Sequence, residues 1–382
     1  MPSSQSLLPS IFVVLVAVLG YRIATKWNPN VGGLYNTMSL LGLIPLSPEP
    51  LLLGHPTIEE QVAYLNKLTA DMEQETPEFL FRYMFGDDIA SANYGDDQTI
   101  VTELQIPTGD HTTPTICSRP VGATATNNLP LVLHYHYGGL ILSSVKAEMP
   151  LIRYMSKAVN AVVCSPEYRK APEYPFPAAI ADASDVSYYL IQQLSSQTSD
   201  ILGGGVTIDP TKVITFGFSA GGYLAGITPR ILAMHNIPIA LQVSLNPTVK
   251  PHGGTASLLQ KGRGDVWTRD WNTYAWSVYL PNDDGRLVND WRVNLLADDP
   301  PPTESAVPLP GVYLSIGKED VLYDEGRMYG NKLSQQGRLL ELVELENANH
   351  GGSFPPLSKG GPGDGNFERS VQYIVSFLQG KN

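Results

Sequence analysis

An α/β fold, with a mostly parallel central sheet flanked by helices and covered by a helical cap, is predicted by three observations on this 382-residue chain. Strand and helix patterns alternate from about residue 129 to the C-terminus, which implies βαβ crossovers. The composition is 43% apolar and only 16% charged, the balance of a chain with a large buried core. A glycine-flanked serine, Ser219, stands between a β-rich run and a helical one.

The elements follow in order. Residues 7–20 (LLPSIFVVLVAVLG) carry no charge, and Arg22 and Lys26 come next. A spanning helix needs about 17–25 apolar residues, so the run reaches that length only if Arg22 snorkels. A single membrane anchor over residues 1–26 is the leading expectation. A cleaved signal, which lacks a basic start here, and a helix packed on the body are the alternatives. The expected location is therefore membrane-associated, with the endoplasmic reticulum as the candidate membrane and secretion as the alternative. The basic residues after the run favour a cytosolic main domain, and no usable Asn-x-Ser/Thr sequon occurs.

Residues 27–98 form a helical preface in which Thr57, three residues before Glu60, makes a capping box. The catalytic unit is expected over 99–382. It opens with TIVTELQIP and TPTICSRPV as a hairpin, followed by the apolar strand LPLVLHYHY. Helices over about 148–159, 178–197 and 220–235 alternate with the strands AVVCSPEY, KVITFGFS and PIALQVSLNP. Residues 250–306 hold four of the five tryptophans and show little β pattern, so they read as an inserted aromatic lid. A strand GVYLSIG, a helix over about 324–336, a strand LLELVELEN and a helix over about 366–378 close the chain. The two cysteines, Cys117 and Cys164, lie in β-rich runs without metal-ligand spacing and read as reduced core residues.

Charge excludes one partner class. Lys and Arg total 25 against 37 Asp and Glu, and a net charge of −12 repels phosphate backbones, so no nucleic acid is expected.

The chemistry centres on VITFGFSAGG, residues 213–222, which places Ser219 in a G-x-S-x-G pattern. Gly217 and Gly221 are small because the strand and helix approach closely there, and the Ala220 amide at the helix start can donate to a developing oxyanion. A serine hydroxyl needs a base, and the base needs an orienting carboxylate. His350, in the loop ENANHGG after a strand, is the candidate base. Asp320, at the end of GVYLSIGKED, is the candidate carboxylate, with Glu319 and Asp324 as competitors. The second oxyanion donor is expected at Gly138 and Gly139 in LHYHYGGLIL. His134 and His136 form an H-x-H pair that a metal could use, but no acidic or thiol cluster accompanies them. No metal and no cofactor are expected.

These blocks together resemble the hormone-sensitive-lipase-like branch of the α/β-hydrolases, also called the α/β-hydrolase fold-3 group. The resemblance rests on HYGG at 136–139, YRKAPEYPFPAA at 168–179, GFSAGG at 217–222 and GKEDVLYDEG at 317–326 followed by His350, and it spans roughly residues 100–380. It implies a serine esterase with Ser219, Asp320 and His350 as triad, Gly138, Gly139 and Ala220 as oxyanion hole, and a cap built from the preface and residues 250–306. Two positions depart from the family pattern. Tyr137 replaces the first glycine of the oxyanion loop, and Phe218 replaces the acidic residue before the serine; both are expected in the substrate pocket. The expected function is hydrolysis of a bulky apolar small-molecule ester. A cyclase or acyltransferase of natural-product biosynthesis and a non-catalytic small-molecule receptor are the alternatives.

Overall fold

The computed structural model describes residue 51, residues 56–73, 87–94 and 98–381, other than 124–127, 197–199, 252, 262–265, 282, 301–306, 356 and 359–360. Two helices come first, α1 (Ile58–Met72) and α2 (Asp87–Tyr94). The Thr57 hydroxyl accepts from the Glu60 amide at 3.3 Å and the Glu60 carboxylate accepts from the Thr57 amide at 2.8 Å, so the capping box is closed in both directions.

Strands β1 (Thr99–Thr108) and β2 (His111–Pro120) pair antiparallel across a tight turn, as the hairpin reading expects. The alternation then runs β3 (Leu129–Tyr135), α3 (Met149–Val159), β4 (Val162–Pro166), α4 (Ala178–Leu194), β5 (Ile208–Phe218), α5 (Ala220–Met234) and β6 (Leu241–Leu245). Two helices, α6 (Ala256–Gln260) and α7 (Arg269–Tyr279), interrupt it before β7 (Gly311–Gly317), α8 (Tyr323–Gln335), β8 (Leu339–Leu345) and α9 (Asn366–Leu378). The eight strands form one sheet in the order β1-β2-β4-β3-β5-β6-β7-β8. Pairing is antiparallel as far as β4 and parallel from β4 to β8.

Both sheet faces are buried, which explains the low charge fraction. Alternate residues go to opposite sides: Leu131, Leu133 and Tyr135 of β3 pack with α4, α5 and the aromatic residues of α7. Val132 of β3 and Ile214, Phe216 and Phe218 of β5 face α3 and α9.

Two expectations are corrected. Cys117 and Cys164 are not reduced thiols but a disulfide, with both residues buried. The reason is register: β2 and β4 are sheet neighbours and pair these two residues directly across from each other, a proximity that a sequence separation of 47 conceals. The membrane-associated location is also corrected, because no helix among the described residues is long and apolar enough to cross a membrane. The 1–26 segment on which the anchor expectation falls lies outside the described residues.

Candidate active site

The β5–α5 junction explains why Ser219 needs glycine on both sides. Its backbone takes φ 57°, ψ −120°, a conformation that turns the chain sharply from strand to helix. A Cβ on Gly217 would lie 2.2 Å from the carbonyl carbon of Gly221, and one on Gly221 would lie 2.0 Å from the Tyr135 carbonyl oxygen. Backbone blocks both positions, so no side chain can give way. The turn is held from β6, whose Leu245 carbonyl accepts from the Ser219 amide at 2.9 Å.

His350, in the loop after β8, brings Nε2 to 2.9 Å from the Ser219 Oγ and Nδ1 to 2.7 Å from Asp320 Oδ2. A carboxylate only accepts, so Nδ1 carries the proton and Nε2 is free to accept from the serine hydroxyl. Ser219, Asp320 and His350 are each 3% exposed or less. Of the competing acids, Asp324 instead accepts from the Ser257 amide at 2.7 Å, tying α8 to α6. Glu319 is half-buried and its backbone amide donates to the Ala348 carbonyl.

Asp320 has partners that sequence reasoning missed. Asn246, just past β6, donates Nδ2 to Oδ2 at 2.6 Å, and the Leu322 amide donates to Oδ1 at 2.9 Å. Nearby, the buried Glu325 of α8 accepts from the Val249 amide at 2.9 Å, and burial pushes its carboxyl up to about 8. An acidic residue in the first turn of the helix that follows the candidate carboxylate was the available signal for Glu325; a lone asparagine after a strand gave none.

The loop after β3 is held by buried polar groups. Glu148 accepts from the Tyr137 amide at 2.7 Å and faces His134 Nε2 at 3.2 Å, while His134 Nδ1 lies 3.0 Å from Ser165 Oγ. His136 stacks on Tyr168 with ring centroids 4.0 Å apart and donates Nδ1–H to the Tyr137 carbonyl at 2.7 Å. Tyr168 donates its phenol to the His136 carbonyl at 2.7 Å. Burial pushes the His136 imidazole well below its ordinary value, so it stays neutral. The strand ends at Tyr135, so the H-x-H pair does not share a face: one ring meets Glu148 and the other meets Tyr168.

That scaffold fixes Gly138 at φ 117° and Gly139 at φ 64°. Gly139 and Ala220 border one cavity together with Leu140, Thr248 and residues of the aromatic insertion; Gly138 shapes the turn behind it. The cavity volume is about 10 Å³, the room one water molecule needs. Trp267 closes one wall, its indole 6.2 Å from the His350 ring and in contact with Gly139.

Tyr137 and Phe218, expected in the pocket, do not line this cavity. Their rings meet edge-to-face at 6.2 Å, and Phe218 stacks on Phe354 at 4.4 Å. Side-chain alternation along β5 sends Phe218 to the sheet face of α3 and α9. It reaches the site only from behind, 5.0 Å from the His350 ring.

Comparison with known proteins adds a family. A family model described as alpha/beta hydrolase fold matches residues 132–353. An arylesterase of Saccharolobus solfataricus is 28% identical over 238 residues, covering 62% of this chain and 71% of that protein. A carboxylesterase of Mycobacterium tuberculosis is 27% identical over 226 residues, covering 59% of this chain and 67% of that protein. Among solved structures, a bacterial heroin esterase superposes with a TM-score of 0.70 at 22% identity, covering 92% of this chain and 98% of that one. An arylesterase structure gives 0.67 at 21% identity, covering 92% and 100%.

Proposed function

The chain belongs to the α/β-hydrolase fold family, in its hormone-sensitive-lipase-like branch, and is a carboxylic ester hydrolase; from that premise we propose that it works through an acyl-serine intermediate. The single observation that carries the mechanism is the unbroken chain Ser219–His350–Asp320, with contacts of 2.9 and 2.7 Å.

In this mechanism His350 Nε2 takes the Ser219 proton as Oγ attacks the ester carbonyl. Asp320 keeps the ring in the tautomer that leaves Nε2 unprotonated, and stabilises the imidazolium that forms. The oxyanion is met by the Gly138, Gly139 and Ala220 amides, the last at the positive end of α5. His350 gives its proton to the departing alcohol, then activates a water that releases the acid and restores Ser219.

The substrate we propose is an apolar, bulky ester. The support is the cavity wall, where Leu140, Trp267, Ala275 and Trp276 present hydrocarbon and aromatic surface. With room for about one water, such a substrate enters only when the cap moves. That cap comprises α1 and residues 250–306, joined where Tyr274 donates to Gln61 at 2.8 Å. The same geometry argues against a non-catalytic receptor, and no feature favours a cyclase or transferase.

A fluorophosphonate probe tests the reading. It is expected to label wild-type protein at Ser219 and to leave Ser219→Ala unlabelled and inactive on p-nitrophenyl esters. Equal labelling or equal turnover by the variant overturns it. An ester chain-length panel then separates a bulky-substrate enzyme from one confined to acetates.

A further inference from the structure

The segment between Tyr137 and Glu148 carries Gly138 and Gly139, and one side chain ties its two ends together. Glu148 Oε1 accepts from the Tyr137 amide at 2.7 Å across a sequence separation of 11, and Glu148 is 0% exposed. Burying a carboxylate is costly unless its partners repay it. Helix capping does not explain the residue. Glu148 ends the 3-10 turn Lys146–Glu148 and stands at the N-cap of α3, yet its side chain makes no cap hydrogen bond to that helix. A shorter serine or aspartate serves a cap better. The side chain turns back from its own helix to the loop.

What it grips there is a peptide plane. The His136 carbonyl and the Tyr137 amide belong to one rigid peptide unit; Tyr168 donates its phenol to the carbonyl at 2.7 Å, and Glu148 holds the amide. The next unit joins the Tyr137 carbonyl to the Gly138 amide. His136 Nδ1–H fixes that carbonyl at 2.7 Å, so the direction of the Gly138 N–H follows from the two planes together. Beyond it, the Gly138 carbonyl accepts from the Ile141 and Leu142 amides at 3.1 and 3.0 Å, which closes the turn that holds Gly139. The brace itself stands on the sheet. Glu148 Oε2 faces His134 Nε2 of β3 at 3.2 Å, and His134 Nδ1 lies 3.0 Å from Ser165 Oγ of β4.

We propose that Glu148 is a positioning residue of the oxyanion hole, which aims the Gly138 and Gly139 amides by holding the Tyr137 amide. This rests on the serine-ester reading above and adds a residue to its oxyanion side. Glu148 is not among the residues that border the cavity, so it acts through the backbone alone. An oxyanion exists only once Oγ has attacked, and amides that point astray therefore cost transition-state stabilisation and leave ground-state binding intact.

The test uses the full chain and compares Glu148→Ala with Glu148→Gln, which keeps an acceptor oxygen at the same reach. Rates on p-nitrophenyl esters are taken per active site, counted with a fluorophosphonate, so that unfolded protein does not enter. In Glu148→Ala kcat is expected to fall by about tenfold or more with KM nearly unchanged, a smaller loss than removal of an oxyanion donor outright. Hexyl trifluoromethyl ketone, whose adduct with Ser219 carries an oxyanion, is expected to bind more weakly by a similar factor. Glu148→Gln is expected to recover most of both. If the alanine variant does not fold, Glu148→Asp, one methylene shorter, is read in its place. A loss confined to KM, an unchanged affinity for the ketone, or a glutamine variant as impaired as the alanine one overturns the inference while Ser219 is still labelled. No labelling of Ser219 and no ester turnover by the wild type overturn the serine reading and this one with it.

Discussion

Asn246 donates its side-chain amide to the same oxygen of Asp320 that faces His350, at 2.6 Å against 2.7 Å. The position of Asn246 follows from strand order. β6 lies between β5, which leads to Ser219, and β7, which leads to Asp320, and the Asn246 backbone amide donates to the Ser315 carbonyl at 2.8 Å. Asn246 therefore sets the direction in which the carboxylate presents Oδ2. Replacing it by alanine is expected to lower kcat by about tenfold or more while leaving KM nearly unchanged, since a charge-assisted hydrogen bond contributes about 1.5–3 kcal/mol. Steady-state kinetics on Asn246→Ala check this; a change confined to KM would assign the residue to substrate contact instead.

Glu325 gives a pH signature. Its ordinary value is 4.5 and burial raises it to about 8 in the folded chain, despite the Val249 amide and nearby Lys250 and His350; Asp320 pushes the same way as burial. Between these values the folded chain keeps a proton that the unfolded chain has released, so stability falls as pH rises, by up to about 1.4 kcal/mol per pH unit. Below about 4.5 the contribution is fully present. In Glu325→Gln this slope is expected to vanish. Urea unfolding of both proteins from pH 5 to pH 8 reads the difference, and parallel curves would rule the assignment out.

Gly139 and Trp267 define a steric coupling. A Cβ at position 139 would sit 2.1 Å from the Trp267 Cη2, and the φ of 64° adds strain for any other residue. Gly139→Ala is expected to lose most activity, and Trp267→Ala in the same chain to restore part of it. A double-mutant cycle in kcat/KM reads the coupling. Additive losses would show that the indole yields without consequence. For Gly221 no such rescue is expected, because its neighbour is the Tyr135 carbonyl and not a side chain.

The disulfide is the covalent link between the antiparallel edge and the parallel sheet. Cys117→Ala/Cys164→Ala is expected to cost about 2–4 kcal/mol of stability, measured by chemical denaturation against the oxidised protein. The chain has only these two cysteines, so thiol titration of the denatured, unreduced protein should find none; two reactive thiols would contradict the bond.

What was legible in the sequence was local. The turn at Ser219 announces itself because steric exclusion demands glycines at fixed spacing, and the hairpin and crossovers follow from periodicity. What depended on sheet order was hidden. The Cys117–Cys164 pairing requires knowing that β4 inserts between β2 and β3, and Asn246 matters only because β6 lies between two functional strands. Tyr137 and Phe218 are expected in the pocket because they depart from the family pattern beside Gly138 and Ser219. Alternation along β5 turns Phe218 to the other face, where it packs with Tyr137 behind the site.

Helix α1 supplies no group to the proposed chemistry, yet Thr69 accepts from the Ser143 amide at 3.0 Å and Glu73 accepts from the Ser144 hydroxyl at 2.5 Å. Its Gln61 meets Tyr274 of α7. The preface thus reaches both the loop that carries Gly138 and Gly139 and the insertion that carries Trp267. Shortening the protein to residues 99–382 is therefore expected to remove these hydrogen bonds from both loops while leaving Ser219, Asp320 and His350 in the chain.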